Sequence, residues 1–360
     1  MELGFGRRMM QAPVHHVIGL TSIVRERLLP ISGNVTARIQ QKVSPNEVVA
    51  EARWAREHVL LDVARLLNVS PNVAERLVKC HVNDELPVNA EIAVGKGMFP
   101  KTVRAPRAGR VVAVGGGQVL MEVGETKMEL RAGIPGTVVQ IIPNKGVVIQ
   151  TAGGLVQGVW GNGRIDSGVL VNLAEAPDSI LTPNRLDVSL RGSVILAGLV
   201  KDADTLEAAA ELPVRGLILS SIYPSLLPKA REMKYPILVT DGFGSLSMNS
   251  AAYKLLSTNA KREVTVNAEF YDRYSGARPE VIIPLPISSD PPSPKEIEEF
   301  APGLQVRMRR PPSMGMIGSI VSIMPGLTRL PSGLRALAAE VKLENGETVI
   351  APLVNLEVVG

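Results

Sequence analysis

The sequence predicts a multidomain α+β protein: a β-rich first half with a helical insert, a parallel α/β segment in the middle and a small β-barrel at the end. Three observations predict it. Short apolar runs separated by Gly, Pro, Asn and Asp turns fill the first half, and two pairs of them repeat. From about residue 188, continuous aliphatic runs alternate with helical stretches of roughly ten residues. After a Pro-rich stretch, a string of short strands closes on an Asn-Gly hairpin turn in "ENGE", 344–347.

The chain has 360 residues, 45% of them hydrophobic, enough for a sizeable core and for two or three domains. Charged residues make up 21%, which argues against wholesale disorder. The net charge of +4 (39 basic against 35 acidic residues) permits nucleic-acid or membrane attraction without demanding it. The lone Cys80, in "AERLVKCHV", excludes an internal disulfide framework and reads as a buried thiol in a reducing compartment. The start (1–28) carries Arg7 and Arg8 before a brief apolar run with no small-residue cleavage site. That pattern predicts no signal peptide, no membrane span and a cytoplasmic protein.

Residues 29–165 hold the repeats. "RAPRAGRVV" (104–112) returns as "RAGIPGTVV" (131–139), a spacing of 27, and "KVSPNEVVA" (42–50) as "ELPVNAEIA" (85–93), a spacing of 43. Each copy reads as a turn feeding a short strand. With "PISGNV" these motifs resemble the barrel-sandwich hybrid fold of biotinyl and lipoyl carrier domains. The resemblance would make Lys127, in "GETKMELRAGIPG", the cofactor anchor. Carrier lysines, however, are flanked by Met on both sides at a hairpin tip; here Thr126 takes the first place, and the stretch to Gly136 is about two residues short of the family pattern. Biotin or lipoate on Lys127 is not expected, and no other cofactor is. Within this region, 53–80 has apolar residues at Val59, Leu60, Val63, Leu66 and Leu67, a helical face, and "VSPN" starts a second helix. As a helix-turn-helix it would offer only Asn72, Glu75, Arg76 and Lys79 as polar readers, so it reads as a helical pair packed on the barrel.

Residues 166–284 form the α/β segment. In such sheets ligands bind beyond the carboxyl ends of the strands. Two ends qualify: Ser220 and Ser221, and the loop "TDGFGSLSMN", with Asp241, Gly242, Gly244 and Ser245 as candidate ligand-binding residues. The glycines could let the backbone approach a phosphate, a residue among Ser245, Ser247 and Asn249 could cap the next helix, and Asp241 could accept from a hydroxyl or hold a metal. The pattern G-x-G-x-x-S is not the full dinucleotide fingerprint, and helix capping with a tight turn is the competing reading. The sequence shows no phosphate loop, His/Cys metal cluster or nucleophile–base pair, so no catalytic residue is assigned.

Residues 285–302 read as a stiff Pro-rich linker. In 303–360, Gly303, Val306, Gly315, Gly318, Ile320 and Ile323, with the closing "VKLENGETVIAPLVNLE", resemble the KOW domain, an SH3-like barrel of ribosomal proteins and transcription elongation factors. The resemblance implies contact with RNA, ribosome or RNA polymerase. Arg307, Arg309 and Arg310 are the candidate phosphate contacts, and Met314 and Met316 the candidate adaptable apolar contacts for a protein. The segment 301–360 has six basic residues against four acidic ones, and 303–360 has no aromatic residue for base stacking. The expectation is a non-enzymatic binding or scaffold protein with a protein partner, which the resemblance to KOW domains would place in the translation or transcription machinery. The alternative is a protein binding a phosphate- or nucleotide-containing ligand, or an enzyme, centred on the 240–247 loop.

Overall fold

A computed structural model describes residues 11–96, 100–272, 274, 276–286 and 291–360. Arg7 and Arg8, and with them most of the start of the leader reading, lie outside the described residues. The chain is mostly β, with 46% of residues in strands and 14% in helices. Among the described residues no helix is long and apolar enough to cross a membrane.

The two repeats prove to be one structural module present twice, with one copy inside the other. In the outer copy, Lys42–Val43 pairs with the start of Gly136–Ile142, setting Val43 opposite Gly136 and Lys42 opposite Thr137. In the inner copy, Leu86 faces Gly109 and Glu85 faces Arg110, which is the same register displaced by 43 and 27. The correspondence continues through the next ladder. Leu130 faces Ala50 and Arg131 faces Val48 across a bulge; Val103 faces Ala93 and Arg104 faces Glu91 across the matching bulge. Gln40 and Asn83 both adopt positive φ, 65° and 77°, and each donates its amide to the equivalent carbonyl, Val138 or Val111, at 2.8 Å. The cores match too: Val49, Ala50, Ala132 and Val138 are fully buried, as are Ile92, Ala93, Ala105 and Val111. Cys80 is buried in the inner core, where Ala37 stands in the outer one.

The copies are joined by a two-stranded ribbon, Val48–Asp62 against Gln118–Arg131, paired along nearly its whole length. Here the helical reading of 53–80 is corrected. Residues up to Asp62 are strand, and only Val63–Leu67 and Pro71–Glu75 are helical, one turn each. Leu60 and Leu66, counted on the apolar helical face, are exposed at 57% and 51%. A partner strand some sixty residues away decides the matter, and local spacing cannot see it. Asn68 in the left-handed region ends the first helix, and Ser70-Pro71 starts the second. Lys127 lies within this ribbon opposite Arg53, its ammonium 2.7 Å from Glu51 and 3.4 Å from Glu129.

The outer copy runs on into the α/β sheet. Gly146–Gln157 pairs with Val17–Leu28 on one side and with Glu280–Pro284 on the other, and the ladder continues to Glu263–Asn267 and Ile165–Asn172. From there Ser193–Leu196, Gly216–Ile222 and Ile237–Phe243 follow in parallel. The stretch "REVTVNAE", grouped by its aliphatic pattern with the parallel strands, runs antiparallel to Ile165–Asn172. Fully buried strands such as Gly216–Ile222 explain the continuous apolar runs. The helices Ala203–Glu211 and Ser250–Thr258 are capped by Asp202 and Asn249, whose side chains accept from the amides of Thr205 and Ala252.

The first and the last of the described strands meet in the C-terminal barrel. Gln11–His15 lies between Ile297–Glu299 and Leu356–Val359, antiparallel to the first and parallel to the second. Part of the Pro-rich stretch is therefore an edge strand, and Gln11–His15 joins a sheet whose other strands come from residues 297–359. The remaining ladder, Gln305–Met308, Ile317–Ile323, Ala338–Leu343 and Thr348–Pro352, completes a seven-stranded sheet around Val306, Ile320, Val341 and Val358, its outermost strands unpaired with each other among the described residues, where the sequence predicts a barrel.

A cleft between the sheet edge and the C-terminal barrel

The two groups of residues that the sequence singles out separately, around 240 and around 307, come together. The strand Ile237–Phe243 carries Asp241 near its carboxyl end, and Gln305–Met308 carries Arg307. Arg307 points inward and is only 6% exposed. Its Nη1 donates to Asp241 Oδ1 at 2.9 Å, and its Nε and Nη2 donate to Glu357 Oε2 at 3.0 and 2.5 Å. It is the pin between barrel and sheet, and as such has no free face for a phosphate. Removing one partner of a buried charge set costs about 3–5 kcal/mol, because the other charges are left unpaired.

The Asp241 carboxylate is equally engaged. It accepts from Thr240 Oγ1 at 2.7 Å, the Asn249 amide at 3.1 Å and Asn249 Nδ2 at 3.1 Å. Of the three capping candidates, Asn249 is the helix cap, and Asp241 orients it. Ser221 is buried with its hydroxyl bonded to Leu246 O and N, and Ser245 Oγ lies 2.9 Å from Tyr223 Oη. Ser220 is fully buried and its hydroxyl finds no protein partner. Gly242 and Gly244 have φ of 147° and 93°, a conformation that glycine takes without strain. The loop is thus stitched to itself, and Asp241 turns toward Arg307 rather than toward a ligand. Among the described residues no three His, Cys, Asp or Glu side chains gather as a metal site.

His15 stands behind the ion cluster, 1% exposed. Arg278 Nη1 lies 3.4 Å from its Nδ1. Burial, and then the nearby Arg307 charge, push its pKa down to about 3, so the ring is neutral at neutral pH. Burial alone would raise the Glu357 carboxyl, but the bonded Arg307 guanidinium holds it below the ordinary carboxylate range. Arg278 also approaches Glu357 at 3.7 Å and lies 5.4 Å over the Tyr271 ring.

Outside this cluster a cleft of about 590 Å³ opens between the sheet edge and the barrel. Its walls include Phe243, Tyr271, Arg278, Arg309, Arg310 and Met314. Arg309 and Arg310 follow the strand that carries Arg307; both are exposed and form no ion pair among the described residues. Met314 is 41% exposed at the cleft, whereas Met316 packs against the barrel core. On the other side of Arg310, a groove of about 680 Å³ runs between Pro311–Ser313, Arg329–Pro331 and Val349–Pro352. Proline and aliphatic side chains line it, with Arg310 and Arg329 among its walls. Neither this groove nor the burial of Arg307 had a signal in the sequence. Asp241 and Arg307 are 66 residues apart, and no spacing rule joins them.

No family model matches the chain, and no curated protein matches it. Among solved structures, S-adenosylmethionine:2-dimethylmenaquinone methyltransferase from Geobacillus kaustophilus HTA426 is similar at 13% identity. The match covers 38% of this chain and 91% of that one with a TM-score of 0.26, a likeness that carries no argument about activity.

Proposed function

We propose that the protein is a non-enzymatic multidomain scaffold that docks a protein partner in the groove of its C-terminal barrel. The observation that carries this reading is the barrel's outer surface. Ile350 in the groove wall is 49% exposed, and Leu327, Leu334 and Val354 elsewhere on the barrel are 66%, 69% and 69% exposed. A groove walled by proline and aliphatic side chains and bordered by arginines has the make-up of an interaction site. The arginines at 310 and 329 suit a partner segment that is apolar at its centre and acidic at its flank. The resemblance to KOW domains points this module toward the translation or transcription machinery. Exposed Arg309 and Arg310 favour direct RNA contact as the second reading.

Affinity capture of the tagged protein from its own cells, with and without nuclease, separates the two. The scaffold reading expects ribosomal or polymerase subunits that survive nuclease and are lost with Ile350→Glu. Partners released by nuclease alone, and retained by Ile350→Glu, would instead establish RNA-tethered binding.

A further inference from the structure

We infer that the cleft between sheet edge and barrel binds a small phosphorylated molecule carrying at least two negative charges, held by Arg309 and Arg310. The argument begins with charge. Asp241 and Glu357 are the carboxylates of the cleft wall, and Arg307 is bonded to both, with Arg278 beside Glu357. His15 behind them is neutral. Those four charged groups balance one another, so the two positive charges of Arg309 and Arg310 stand in excess, without an ion-pair partner among the described residues. Two guanidinium forks on consecutive residues, beside low-dielectric walls, are suited to phosphate oxygens, which they can meet bidentately.

Shape adds to charge. The cleft volume falls within the range of small-molecule sites. Phe243, 43% exposed, and Met314, 41% exposed, supply apolar surface on which the uncharged part of the ligand can lie. The ion cluster beneath is buried and multiply bonded, so the arginine-bearing segment is held in place before any ligand arrives, which lowers the ordering cost of binding. The loop 240–247 contributes a wall, through Gly242 and Phe243, rather than a phosphate cradle.

Calorimetric titration of the full chain with ADP, with inorganic pyrophosphate and with adenosine tests the inference. Saturable binding of ADP and pyrophosphate, weakened by added salt and absent for adenosine, is expected. Arg309→Glu should lower the affinity roughly tenfold or more. Arg309 lines the cleft but not the groove, so this variant keeps partner capture and separates the two sites. Met314→Trp, which fills the cleft without touching the charge, should also abolish binding. No heat with either phosphate ligand at millimolar concentration, or undiminished binding by both variants, would overturn the inference. So would a short single-stranded RNA that binds more tightly than ADP and is lost with Arg309→Glu.

Discussion

Arg307, Arg309 and Arg310 are near neighbours in sequence and divide into two jobs in space. The first is buried between two carboxylates, and the others face the cleft. The sequence shows the cluster and cannot show the division, because the carboxylates that claim Arg307 come from positions 241 and 357. His15 adds a measurable signature to this buried site. The unfolded chain takes up its proton near the ordinary value of 6.5, and the folded chain only near about 3. Between those values the unfolded state binds more protons, so stability rises with pH and falls on acidification. Glu357, held below its ordinary range, acts in the same direction: its contribution is present above that range and is lost as pH falls through its folded value. Urea midpoints should therefore decline from about pH 7 to about pH 5, and the decline should be shallower in His15→Gln. An identical slope in the variant would show that His15 is not the group responsible.

At the scale of elements, the strand Val48–Asp62 teaches the limit of periodicity. Its apolar residues fit a helical face on paper, yet the ladder to Gln118–Arg131 wins because it satisfies the backbone over more than a dozen residues. The turns were more legible than the ladders. "PISGNV" and the Gly-Val pairs mark strand starts that the structure contains, since the glycines allow the chain to pass close to a neighbour. A Cβ at Gly109 would meet the Glu122 carbonyl oxygen at 2.0 Å, and one at Gly136 would meet that of Gln150 at 2.4 Å. Gly109→Val should destabilise by about 1–3 kcal/mol or more, since the obstacle is backbone and cannot rotate away. Hydrogen exchange should localise the damage: faster exchange within 57–123, and unchanged protection across 128–150. Uniform loss of protection in both regions would show that the two copies unfold as one unit.

For the whole molecule, the repeat spacings of 27 and 43 were visible in the sequence, but what they meant was not. Unequal spacings arise when one copy interrupts the other, because the two halves of the outer copy lie on either side of the inner one. The inner copy's ion pairs, Lys79–Glu91, Arg107–Glu57 and Arg110–Glu122, close within it. Replacing residues 54–126 by an Asn-Gly turn should therefore leave a chain that melts cooperatively and binds pyrophosphate as the parent does. Loss of cooperative melting would mean that the outer copy depends on its insert. The same nesting, together with the pairing of Gln11–His15 to Leu356–Val359, sets an order in time. During synthesis the inner copy has all its partners once residue 131 has emerged, the outer copy waits for the strand ending at Gln157, and the barrel waits for Leu356–Val359. At about 5–20 residues per second, the first strand spends tens of seconds with no sheet to join. Gln11–His15 leaves the ribosome long before either of its partner strands, Ile297–Glu299 and Leu356–Val359, and until they follow its edge is open to any other strand nearby.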